Sequence, residues 1–153
     1  KTGAGEGNFD IDLTTGNQAS DVYHDTGQST QNNVITLISI TPTTPDKTYF
    51  VQSYVVCRGS AGDFDNGFLA VKIYATFYTN SSSVFVRLPD QSVKGSPNLA
   101  YDGSGSAKTI TPAGDFFLDF VDDSDVIKLK VNGYTNASSN TFEWTAWTRV
   151  WSV

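Results

Sequence analysis

Apolar and polar positions alternate most regularly in two stretches of the chain. Over residues 68–78, Leu69, Val71, Ile73, Ala75 and Phe77 fall on one side and Lys72, Tyr74, Thr76 and Tyr78 on the other, the two-residue period of a half-buried antiparallel strand. The closing run, residues 141–153, repeats the pattern with larger side chains. It predicts a long strand with Phe142, Trp144, Ala146, Thr148 and Val150 on one face and Glu143, Thr145, Trp147, Arg149, Trp151 and Val153 on the other. The first is a core face. The second mixes two indoles with a Glu and an Arg, so it cannot be buried whole in a small domain without burying charge, and it is too aromatic for an ordinary wet surface. It reads as a contact face. All three Trp residues lie in this run, and burying an indole is worth about 4 to 6 kcal/mol before entropy. Extended at about 3.3 Å per residue the run reaches roughly 40 Å, longer than a typical strand, which predicts a bulge, a bend or a partner chain along it.

Shorter runs complete the picture. Residues 34–40, 48–58, 84–88, 116–121 and 126–131 are rich in β-branched and aromatic side chains, and Pro, Gly, Asp and Asn clusters separate them. Residues 89–105 read as loop, with Pro97 and the Gly103 to Gly105 tip unable to hold a central strand. No window sustains apolar spacing at i, i+3, i+4 and i+7. The expectation is an all-β antiparallel sandwich of about eight strands with an extended N-terminal arm.

Residues 1–32 form that arm, and residues 33–153 the β-sandwich domain. The opening is rich in Gly, Thr, Asn and Ser, and is compatible with a linker, an arm or an added edge strand. Phe9, Ile11 and Leu13 alternate behind a Gly-rich tether, a pattern suited to strand donation to a neighbouring subunit, although a disordered leader is the favoured reading. The chain contains no Met and begins with Lys1, from which we expect either a cleaved signal or pro-segment or a fragment of a longer chain. No run is long enough to span a bilayer as a helix.

Charge and composition narrow the chemistry. The net charge is −6 and the ten Lys and Arg residues are scattered singly, so the basic stripe needed for nucleic acid is missing. Cys57 is the only cysteine and sits in an apolar run, where a small buried hydrophobe is favoured over a reactive thiol. His24 is the only histidine and lies in the polar opening, a poor support for a nucleophile–histidine pair. Asp63, Asp65 and Asn66 before Gly67 lack the length of a calcium loop, and Asp122, Asp123 and Asp125 read as turn formers. We therefore expect no enzyme activity, no metal and no cofactor. Asn80 and Asn136 each match the N-glycosylation acceptor pattern. Trp147 and Trp151, joined by Tyr74 and Tyr78, could stack on sugar rings or pack against a second subunit, and their place within a regular strand favours the subunit.

The succession of strands is itself informative. Residues 34–40, then a strand closing on Val55-Val56-Cys57-Arg58, a Gly67-initiated strand, a segment ending Val131-Asn132-Gly133 and the final Trp144 to Val153 strand resemble, in this order, a β-domain of tailed-bacteriophage virion structural proteins. The resemblance covers residues 33–153. It implies a jelly-roll-like sandwich, a homo-oligomer with a trimer favoured, and a place on the virion surface as capsid decoration or tail fibre. The corresponding expectation is a non-enzymatic structural or adhesion module that self-associates through Glu143 to Val153, contacts other virion or surface proteins, has a host glycan as a further candidate partner, and does not insert into a membrane. The alternatives are a secreted or cell-surface filament subunit that donates its N-terminal strand, and a carbohydrate-binding module.

Overall fold

The computed structural model describes residues 19–30, 33–42, 44–61, 67–82, 85–87, 99–101, 104–108, 116–133 and 140–153. They form nine strands: β1 Ala19–Thr30, β2 Ile35–Ile40, β3 Thr48–Ala61, β4 Phe68–Thr79, β5 Phe85–Arg87, β6 Leu99–Tyr101, β7 Phe116–Asp122, β8 Ile127–Gly133 and β9 Thr141–Ser152. One sheet has the order β1-β9-β3-β4-β5, with β6 also on β4, and the other the order β2-β8-β7. All pairings are antiparallel. The fold is thus the all-β two-sheet sandwich expected from the alternation. Its wrap is jelly-roll-like in that β1 lies against β9 in one sheet while β2 lies against β8 in the other; the β3–β4 hairpin stays within a single sheet.

The period-two pattern decides which side chains meet between the sheets. Val51, Val55, Leu69, Ile73, Phe77 and Trp144 from the large sheet and Leu37, Phe116, Phe120, Ile127 and Leu129 from the small one are buried in one core. Phe116 of β7 meets Phe142 and Trp144 of β9 edge-on, at 5.9 and 6.1 Å between ring centres, the arrangement that places a positive ring edge on a negative face. Two polar residues at core positions satisfy each other. Thr148 Oγ1 donates to Ser53 Oγ at 2.9 Å, and Ser53 Oγ donates to the Trp147 carbonyl at 3.3 Å.

The long final strand does not fray because neighbours hold it on both sides: β1 along its whole length, β3 along the other edge. Its tip is held by Val153 and Thr48, which exchange two backbone hydrogen bonds of 3.0 Å. β9 itself runs without a register shift against β1; the irregularity beside it is a bulge on the partner strand β3 between Gly59 and Ala61, opposite Phe142 and Thr141. A second register shift between Thr36 and Ile38 of β2 lets adjacent Leu37 and Ile38 both face the core.

Ala19–Thr30 lies in the segment read from sequence as an arm, and of the three readings offered for that segment the edge strand describes it. It pairs with β9 over twelve residues without a bulge, and the Trp144 indole N–H donates to Ser29 Oγ at 2.8 Å in a buried bond. His24 accordingly stands on a regular strand and not on a loose leader. Phe9, Ile11 and Leu13 lie outside the described residues, as do Asn136 and most of the Asp63–Gly67 turn. Within the stretch expected to be loop, Leu99–Tyr101 adds a short strand to β4.

Candidate interaction face

The surface of interest is the outer side of the large sheet, and the register of four strands builds it row by row. Trp151 of β9 stands opposite Phe50 of β3, Arg149 opposite Gln52, Trp147 opposite Tyr54, Thr145 opposite Val56, and Glu143 opposite Arg58. On β4 the same rows continue with Thr76, Tyr74, Lys72, Ala70 and Phe68. On β1 they continue with Val22, His24, Thr26 and Gln28 beside Arg149, Trp147, Thr145 and Glu143. Since side chains on a strand alternate, the burial of Phe142, Trp144, Ala146, Thr148 and Val150 forces their neighbours outward.

Of the ten large hydrophobic residues that are exposed among those described, eight belong to this face: Val22, Phe50, Tyr54, Val56, Phe68, Tyr74, Tyr78 and Trp147. That concentration is far from the scattered single exposures of a typical surface. Several of the rings lie against one another across neighbouring strands. Phe50 touches Trp151 at 5.5 Å and Tyr74 at 6.1 Å between ring centres, and His24 stacks on Trp147 at 5.4 Å with the planes 21° apart. Cations are set among them. The Arg149 guanidinium lies 5.6 Å from the Trp151 ring centre and the Lys72 ammonium 5.7 Å from that of Tyr54, contacts that offset part of the cost of drying a charge. Among the described residues, Arg58, Lys72 and Arg149 thus share the face with a single carboxylate, Glu143, although the chain as a whole is acidic.

The residues singled out from sequence therefore share one surface. Glu143, Thr145, Trp147, Arg149 and Trp151 run down its middle, Tyr74 joins them through Phe50, and Tyr78 lies on the same side at the end of β4 beside Thr48. Sequence reading missed Phe50, Tyr54, Val56 and Phe68. The even positions of β3 carried the signal, but β3 is apolar on both sides and its alternation is muted. It also missed Val22 and His24, because β1 was not read as a strand.

The remaining candidates resolve individually. Cys57 is buried beneath the sheet, and burial, with the Glu143 carboxylate second, pushes its thiol far above the ordinary range, which makes it a core side chain. The acidic turn after β7 is a hairpin turn: Ser124 and Asp125 have φ of 57° and 65°, and Asp123 N–H bonds to the Val126 carbonyl at 3.0 Å, the geometry of a primed turn. Asp123 is also taken up by two lysines, its Oδ2 lying 2.7 Å from Lys130 Nζ and 3.2 Å from Lys128 Nζ. Among the described residues no group of three His, Cys, Asp or Glu side chains could hold a metal ion. Asn80 follows β4, and its Oδ1 accepts the Ser82 N–H at 2.9 Å.

No family profile and no curated protein sequence matches the chain. Among solved structures it is similar to the tailspike protein of Acinetobacter baumannii phage AM24, with 12% sequence identity and a TM-score of 0.44 over 84% of this chain and 26% of that one. The chain spans about a quarter of the length of that protein.

Proposed function

We propose that this chain is a non-enzymatic structural module of a phage virion, of the tail-fibre or capsid-decoration kind, that self-associates through the outer face of its large sheet. The virion placement rests on the sequence resemblance. The self-association rests on one observation, the gathering of eight of the ten exposed large hydrophobic residues among those described on a single sheet face. Leaving such a layer wet costs about 25 cal/mol for each Å² of apolar surface, and a second protein surface removes that cost without any change of fold. A sedimentation mass tests this reading. A homo-oligomer at micromolar concentration is expected, and a monomer at about 100 μM would overturn it. The virion placement is tested separately, by looking for the chain among the proteins of purified particles; its absence from them would remove that half of the proposal.

A glycan platform is the second reading, favoured by the Trp147 indole, which is 42% exposed beside the His24 ring. Glycan-array binding by a monomer, lost in Trp147→Ala, would put this reading in place of the first.

A further inference from the structure

From the register of the exposed face we infer that the occupant is a second copy of this chain, bound face to face about a two-fold axis that runs parallel to the strands between β9 and β3. The inference rests on the self-association reading above and adds to it a symmetry and a set of partners.

A flat patch covered by one copy of itself must be isologous, so the axis lies in the plane between the two faces. Two orientations arise. An axis across the strands would turn each row onto its mirror row, laying Glu143 against the Trp151 indole of the second copy, a carboxylate against a negative ring face. An axis along the strands keeps each row at its own level and exchanges β9 with β3. Because Glu143 is opposite Arg58 within one chain, and Trp147 opposite Tyr54, that rotation sets Glu143 over Arg58 of the second copy and Trp147 over its Tyr54, twice each. Opposite charges then meet at one end of the face and aromatic rings at its middle. Arg149, already over Trp151, comes to face Gln52 of the second copy, an amide with an oxygen to accept from it. Either axis leaves the strands aligned within the roughly 30° and 10 Å at which twisted sheets stack, so the choice between them rests on which side chains each row meets.

The area is adequate. Four strands about 4.8 Å apart, over about ten residues at 3.3 Å each, present roughly 600 Å² in projection, and side-chain relief brings this towards the roughly 800 Å² per partner of a standard stable interface.

Charge reversal at two exposed positions tests the arrangement. Glu143→Arg and Arg58→Glu should each weaken the dimer at least about tenfold by sedimentation, since each places like charges face to face between copies. An equimolar mixture of the two variants should restore a dimer of wild-type strength, because each new charge then meets its opposite on the other chain while the pairing inside each chain stays repulsive. Circular dichroism of each variant checks that the sandwich is intact. A wild-type dimer without rescue in the mixture, or a wild-type trimer, overturns this geometry and leaves self-association standing. A wild-type monomer overturns the self-association reading itself.

Discussion

The two outer surfaces of the sandwich are built on the same period-two rule and have opposite characters. Outside the large sheet, aromatic rings lie against one another and cations rest on ring faces. Outside the small sheet, β8 presents Lys128 and Lys130, and both reach Asp123. A surface that neutralises its charges with its own carboxylates is finished in water. One that holds three cations, one carboxylate and a layer of exposed rings keeps free energy available for a partner. The difference teaches that exposure of apolar area does not mark an interface by itself; its concentration on one face, set against an ion-paired face on the opposite side, does.

The largest expected effect belongs to neither outer surface and calibrates both. Trp144 and Trp147 are three residues apart on β9, yet the first is buried and hydrogen-bonded to Ser29 while the second is 42% exposed. Trp144→Ala should cost about 3 to 5 kcal/mol in chemical denaturation through the cavity and the unpartnered hydroxyl. Next comes the double variant Trp147→Ala/Tyr54→Ala, which removes a ring pair from the middle of the aromatic face. It should raise the dissociation constant of the homo-oligomer by about 100-fold, or about 3 kcal/mol, while a denaturant midpoint measured below that constant moves little. An equal loss of monomer stability would mean that the rings support the fold and not a partner, and the contrast between the surfaces would collapse.

How much of this was legible in the sequence follows from the same physics. β4 and β9 are half-buried strands with unambiguous alternation, so both their core faces and the outward Trp147, Tyr74 and Tyr78 could be read directly. β1 could not. Its alternate positions are Tyr23, Asp25, Gly27 and Ser29: Tyr23 packs against the core, Asp25 is exposed, and Gly27 and Ser29 are small where the neighbouring indole and β2 leave little room. Gly27 pairs with Trp144, and a Cβ there would come within 2.8 Å of the Ile35 side chain; Ser29 supplies the acceptor for Trp144. A strand whose inner face is shaped by residues about 115 positions away carries no periodic signal of its own. The three-residue β6 is too short for any pattern to register. The contact face was legible in its β9 half and hidden in its β3 half, where Phe50, Tyr54 and Val56 alternate with the equally apolar Val51 and Val55.

Effects on the ion-paired surface should be smaller and of a different kind. Lys130→Ala removes the shorter of the two contacts to Asp123, at 2.7 Å, and should move the denaturant midpoint only slightly, as is usual for solvent-facing pairs, with no change in sedimentation mass. A change in mass would extend the association surface around the particle and blur the distinction between the faces.

The smallest effect is also the one with a defined pH window. Hydrogen bonds from Lys130 and then Lys128, with the charges of both behind them, hold the Asp123 carboxyl down to about 2. In the unfolded chain an Asp titrates near 3.9, so the native state binds the proton less tightly than the unfolded one. The stability from this group is fully present above about pH 4, declines as the pH falls, and is gone once the folded carboxyl protonates near 2. Asp123→Asn keeps the turn-forming shape and removes the charge. Its melting temperature should lie slightly below wild type at pH 6, and the two should converge between pH 4 and pH 2, with the gap at pH 6 narrowed by salt because the pair faces solvent. If the gap persisted undiminished at pH 2, the carboxylate would not be the origin of the difference, and the two lysines outside the small sheet would have to be neutralised by something other than Asp123.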